Sequence, residues 1–190
     1  MGTPEDRELA ARATAGEEQA WREIYDRTRD RLFALLCYHL GDRDEAMDVL
    51  QDVFVNAVQG IHKYSGEGSL EGWLAVIAIR RATDWKRRFL PRLKRTAPLE
   101  EARVVAAENP TDVQFAGEGK KLRQCLAKLS HHQRTALLLR ELEEMSYAEI
   151  GNAIGCGEGT ARVHHLRARE RMQTLMKPGI SATETLCAEE

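Results

Sequence analysis

Apolar residues recur at helical spacing along almost the whole chain, and no stretch alternates in the manner of a half-buried strand. Trp21, Ile24, Thr28, Leu32, Leu35 and His39 trace one face of a long helix, which Gly41 can end as the residue beyond the cap. Asp42 opens the next helix, with Glu45 three positions on as a capping-box-like pair. Met47, Leu50, Phe54, Ala57 and Ile61 are its predicted buried stripe. The run SGEGS at 65–69 breaks the pattern as a loop. A third long helix, from about Leu70 to Phe89, is expected to bury Trp73, Leu74, Ile77, Ala78 and Trp85. It should stop near Leu90, because Pro91 disfavours helical geometry in the residue before it.

Residues 91–115 hold Pro91, Pro98 and Pro110 without sustained periodicity and read as a flexible linker. Helices resume near Gly117, with Leu122, Cys125, Leu126 and Leu129 as one stripe. Ser130 with Gln133 and Ser146 with Glu149 are two further capping boxes. After Arg171 the pattern frays, and 177–190 reads as a disordered tail. The predicted fold is therefore all-α: two small helical domains, 17–90 and 117–176, joined by a linker at 91–116. An N-terminal extension (1–16) precedes them.

At 190 residues and 43% hydrophobic content, the chain has enough apolar side chains for two cores. No run approaches the roughly 20 apolar residues that cross a bilayer, so no membrane insertion is expected. The polar, acidic N-terminus is unlike a secretory signal, and the protein is expected in the cytoplasm. Cys37, Cys125, Cys156 and Cys187 lie far apart, with no CxxC pair, which argues against structural zinc or a disulfide framework. Cys37 and Cys125 fit small core positions, and Cys187 falls in the polar tail.

The net charge of −2 hides an alternation. Residues 42–54 hold five acids and one base, and 78–95 hold eight bases and one acid. Residues 141–149 hold four glutamates, while 160–171 hold four arginines against one glutamate. Two basic blocks suggest two DNA-facing surfaces, and the acidic blocks suggest at least one face for a protein partner.

The clearest motif is SYAEIGNAIGCGEGTARVHHLRARERM, a short capped helix, a Gly155-Cys156-Gly157 turn and a basic second helix. That is helix-turn-helix layout, whose second helix enters the major groove with its N-terminal residues at the base edges. Thr160, Arg162, Val163, His164, Leu166 and Arg167 are the candidate DNA contacts, with Arg169 and Arg171 further along. An ordinary arginine-rich surface helix is the bland alternative. In the first domain, Asp48, Gln51, Asp52 and Val55 fall opposite the predicted core stripe, an acidic patch around an exposed valine suited to docking a protein. A merely solvated helix face is the competing reading. Arg80, Thr83, Asp84 and Arg87 share a face of the third helix, flanked by Arg81, Lys86 and Arg88. The loop beside it and Trp73 and Trp85 suit single-stranded nucleic acid, although tryptophans are more often core.

Three segments in order carry a family resemblance. DEAMDVLQDVFVNAV resembles the part of sigma factors that clamps the β′ coiled coil of RNA polymerase. GWLAVIAIRRATDWKRR resembles the helix beside their promoter-melting loop, and LSHHQRTALLLRELEEMSYAEIGNAIGCGEGTARVHHLRARERM is similar to their C-terminal helix-turn-helix. Order, spacing and length resemble the small extracytoplasmic-function class. The resemblance implies core-polymerase contacts at Asp48, Gln51, Asp52, Phe54 and Val55. It implies minus-ten contacts at Lys63, Tyr64, Ser65, Gly66, Arg80, Arg81, Asp84, Arg87 and Arg88. For the minus-thirty-five element it implies Arg140, Thr160, Arg162, Val163, His164, Leu166, Arg167 and Arg169.

Its implied partners are core RNA polymerase (β′ coiled coil and β flap), promoter DNA and an anti-sigma protein; no catalytic residue, cofactor or metal is implied. Four positions depart from the family. Gly157 replaces the usual small polar N-cap, Arg80 and Asp84 stand where asparagines are common, and His165 stands where a core leucine or isoleucine is usual. The competing function is a stand-alone helix-turn-helix regulator, whose first domain would dimerise or sense a ligand. An enzyme fits poorly, for want of a phosphate-binding glycine loop, a ligand cluster or a nucleophile–base pair.

Overall fold

Thr3 and Asp6 close a reciprocal capping box at the start of α1 (Pro4–Thr14), with a proline in its first turn. The segment expected only as an extension is thus a helix, and its Leu9, Ala10 and Ala13 are buried. The computed structural model describes residues 2–96 and 118–177. Over these the architecture is all-α, and the expected tail and most of the expected linker lie outside the described residues.

Three helices follow α1: α2 (Glu18–Leu40), α3 (Arg43–Gly60) and α4 (Leu70–Thr96), with a 3-10 turn at Ile61–Lys63. Gly41 ends α2 in the left-handed region at φ 89°, which lets its N–H bond the Cys37 carbonyl. Asp42 then caps α3 by accepting from the backbone of Asp44 and Glu45. Five of the six positions in the expected α2 stripe are fully buried, and Trp21 is half-buried.

The α3 stripe differs from expectation. Ala46, Val49, Leu50, Val53 and Ala57 face the core, while Met47 is 44% exposed and Phe54 is half-buried against Tyr25. Small and β-branched residues fit between α2 and α4, so the stripe is rotated away from the bulky side chains. Trp73, Ile77 and Trp85 are likewise half-buried. The other correction concerns Pro91: α4 runs on to Thr96. Proline's fixed φ is itself helical, so a helix can continue through it at the cost of one hydrogen bond.

The second unit holds α5 (Glu118–Ala127), α6 (His131–Glu141), α7 (Tyr147–Ile154) and α8 (Glu158–Met176). Both expected capping boxes are present, at Ser130–Gln133 and Ser146–Glu149. Gly155 ends α7 at φ 76°, and a Cβ at Gly151 would lie 2.6 Å from the Cys156 carbonyl, so glycine is required where the turn folds back. Helix α8 continues past the expected fraying point to Met176. Leu126, Leu129, Ala136, Leu138, Leu139, Ile150, Ala161 and Ala168 form the unit's core.

The two units pack together through α2 against α5 and α6. Arg31 forms an ion pair with buried Glu143 at 3.1 Å and donates to the Leu142 carbonyl. Cys37 and Cys125 are buried, as their sequence contexts predict, and Cys156 is half-buried.

Candidate nucleic-acid interface

The helix-turn-helix presents its second helix outward. Ala161, His165 and Ala168 hold α8 to the core, which leaves Thr160, Arg162, Val163, Leu166, Arg167 and Arg169 exposed on the other face. Val163 and Leu166 are 42% and 47% exposed and lie beside the arginines of that face. His164 is half-buried and faces His132 of α6 at 5.3 Å between ring centroids. Its pKa is lowered by burial, then by His132 and Arg167, so it presents a neutral ring near pH 7. Arg140 projects from α6; its Nη1 donates to the Met145 carbonyl at 2.7 Å and its guanidinium lies over the Tyr147 ring. The sequence-derived residues of this surface therefore converge, with His164 and Arg140 partly engaged by neighbours.

On the first unit, Tyr64, Ser65 and Arg80 meet at a cavity of about 220 Å³, together with Gly68, Trp73 and Val76. The Tyr64 hydroxyl donates to the Gly68 carbonyl at 2.6 Å and its ring lies 5.9 Å from that of Trp73, which shapes the loop into a shallow pocket. Burial raises the Tyr64 pKa, with Asp6 and Glu71 adding to it, so the hydroxyl stays a donor. Lys63, Arg80, Arg87 and Arg88 are exposed, whereas Arg81 and Asp84 are half-buried and Gly66 is buried. Lys86, which the basic block suggested for nucleic acid, instead donates to the His39 carbonyl at 2.9 Å. Burial and Arg134 lower its pKa to about 8.

Two holders of this loop escape the periodicity argument. Arg7 Nη2 donates to the Gly66 carbonyl at 3.3 Å, and Asp6 Oδ2 accepts from the Leu70 backbone at 3.4 Å. Asp6 also pairs with Arg27 at 3.1 Å. The Thr3-Pro4-Glu5-Asp6 run was the sequence signal that could have found them. The far wall of the pocket comes from the second unit, through Met145, Glu149 and Asn152.

The third surface is the outer face of α3. Asp48, Gln51 and Asp52 are exposed, Val55 is 56% exposed, and Met47 and Val58 extend the apolar area beside them. Phe54 sits behind this face, its ring 4.8 Å from that of Tyr25. Among the described residues no group of three metal-ligating side chains converges, and no helix is long and apolar enough to cross a membrane.

Two family descriptions match the chain in order, Sigma-70 region 2 over residues 24–89 and Sigma-70 region 4 over residues 119–172, between them more than half of the chain. The chain belongs to the extracytoplasmic-function sigma factors. The ECF RNA polymerase sigma-E factor of Haemophilus influenzae is 27% identical over 186 residues, covering 91% of this chain and 96% of that protein. The RNA polymerase sigma-H factor of Pseudomonas aeruginosa is 27% identical, covering 92% and 95%. Among solved structures, CnrH in complex with the cytosolic domain of CnrY matches with a TM-score of 0.65 at 21% identity, over 90% of this chain and 96% of that one. RpoE in complex with the anti-sigma factor NepR from Bartonella quintana matches with a TM-score of 0.64 at 20% identity, over 84% and 96%. These two share the fold of this sigma factor. Region 2 spans the α3 face and the loop pocket, and region 4 spans the helix-turn-helix. A sigma factor, and not a stand-alone regulator, is the reading that both matches support.

Proposed function

We propose that this sigma factor works as a non-catalytic initiation subunit in the cytoplasm, with its three surfaces dividing the task. The α3 face (Asp48, Gln51, Asp52, Val55, with Phe54 packed behind) docks on the β′ coiled coil of core RNA polymerase. Carboxylates around an apolar centre suit a basic or polar partner. The pocket of Tyr64, Ser65 and Arg80 takes an unpaired base of the minus-ten element. The exposed arginines of α4 track that strand's phosphates. Helix α8 reads the minus-thirty-five element, where arginine can address guanine and Val163 or Leu166 a thymine methyl.

The observation that carries this reading is the separation of charge on one chain: an exposed acidic face on α3, and cationic faces on α4 and α8. No one of these faces alone would account for the others. An anti-sigma partner also fits. The two structural relatives were solved with such partners or with a cytosolic domain of another protein.

Transcription in vitro from a promoter library with core polymerase tests the proposal, with permanganate reporting unpaired thymines. Polymerase-dependent opening near the downstream element is the expected result. Tight duplex binding by the chain alone, without opening, would overturn it.

A further inference from the structure

Tyr147, the first residue of α7, lies beneath two arginines from different helices. The Arg140 guanidinium of α6 is 5.0 Å from its ring centroid and that of Arg162 of α8 is 4.7 Å away. The hydroxyl is anchored in turn. It lies 3.0 Å from His165 Nδ1, and His165 Nε2 lies 2.8 Å from Glu141 Oε1. His165 is only 3% exposed while the Glu141 side chain is 52% exposed, so this chain of hydrogen bonds runs from the ring through a buried imidazole out to the surface. An imidazole with a partner on each nitrogen has a fixed ring orientation.

Each arginine also has a second tether: the Met145 carbonyl holds Arg140 at 2.7 Å, and Glu158 holds Arg162 at 3.4 Å. Arginine side chains lose much rotamer freedom when a ligand immobilises them, and a stack that has already restricted them reduces that loss. The sequence alone hides this arrangement. Arg140, Tyr147 and Arg162 lie on three different helices, and His165 occupies a position where an apolar side chain would leave the hydroxyl without this partner.

We propose that Tyr147, clamped by His165 and Glu141, is a positioning residue that sets Arg140 and Arg162 at a fixed separation for the upstream promoter element. The inference rests on α8 being the reader of that element. It adds that recognition depends on a tyrosine that need not touch DNA itself.

The test uses holoenzyme assembled from core polymerase and the full chain, on promoter duplexes with an intact or a scrambled upstream element. Tyr147→Leu should weaken binding to the intact promoter about tenfold, as two cation–ring contacts are lost. Tyr147→Phe, which keeps the ring and loses the hydroxyl anchor, should weaken it about threefold. On the scrambled promoter both variants should match the wild type. In an Arg140→Ala/Arg162→Ala background, either substitution at Tyr147 should add less than about twofold.

Equal losses with and without the two arginines would overturn the proposal, because they would make Tyr147 a packing residue only. Unchanged binding by both variants in the wild-type background would overturn it as well. Should Tyr147→Leu melt at assay temperature, the Tyr147→Phe cycle decides by the same criteria. Failure of the underlying reading looks different: Arg140→Ala/Arg162→Ala and Arg167→Ala would both leave the preference for the intact upstream element untouched.

Discussion

Arg134 of the second unit donates from Nη1 to the backbone carbonyl of His39 in the first, at 2.8 Å. Lys86 reaches the same oxygen, and the His131 ring stands edge-on to His39 at 5.3 Å. The C-terminal end of α2 is thus capped by cations from α4 and α6, as the helix dipole favours. His39 itself is fully buried, and neither ring nitrogen has a hydrogen-bond partner among the described residues.

That geometry makes the packing of the two units sensitive to acid. Burial, then Lys86, His131 and Arg134, holds the His39 pKa well below the ordinary imidazole value, and burial and neighbouring cations lower that of His131. The folded chain therefore binds fewer protons than the unfolded chain below about pH 6.5. The contribution is fully present above that pH and is lost as pH falls. The thermal midpoint should drop between about pH 7.5 and 5.5, and His39→Leu should flatten the drop while keeping the carbonyl bonds. An equally steep drop in His39→Leu would remove His39 from this role.

Asp6→Ala should destabilise the first unit by about 1–3 kcal/mol, because it leaves the Leu70 N–H and Arg27 short of a buried acceptor and breaks the α1 capping box. Loosening of the 64–69 loop should follow, since α1 carries the Arg7 bond to Gly66. Promoter opening by the holoenzyme should fall, with recognition of the upstream element retained. Denaturant melts and permanganate footprints measure the two effects separately.

Asp52→Arg reverses a charge on the exposed face of α3 and leaves Val49 and Val53 in the core. Stability should stay within about 0.5 kcal/mol of the wild type. Binding to core polymerase, followed by native gel or anisotropy, should be lost. A folded variant with normal polymerase binding would place the docking face elsewhere.

Arg167→Ala removes an exposed side chain from α8. A base contact there predicts a loss of about 1–3 kcal/mol confined to promoters with the preferred base. A phosphate contact predicts a uniform loss and a salt slope smaller by about one. Anisotropy titrations across a salt series distinguish the two, and no change in either quantity would exclude Arg167 from the interface.

Much of this is legible in the sequence. The α2 stripe, the loop at 65–69, both serine capping boxes and the glycine turn followed from spacing, because each depends on residues within four positions of one another. Exposure of Asp48, Gln51, Asp52 and Val55 followed from the same helical period. The rotated α3 stripe did not, since choosing between Met47 and Val49 requires knowing which helices lie on either side. The helix through Pro91 also escaped a local rule, as the residue's helical φ competes with its lost hydrogen bond.

By itself, then, the sequence determined which segments beyond α1 are helices, where most of them are capped, and which faces carry charge, all properties set by near neighbours along the chain. Tertiary structure alone decided the contacts between distant residues. Asp6 and Arg7 hold a loop some sixty residues away, and Lys86 is withdrawn from the nucleic-acid face to cap α2. Arg140, Tyr147 and Arg162 become one stack. The physical reason is common to them: packing, not sequence distance, determines which partner comes within reach of a polar or charged group.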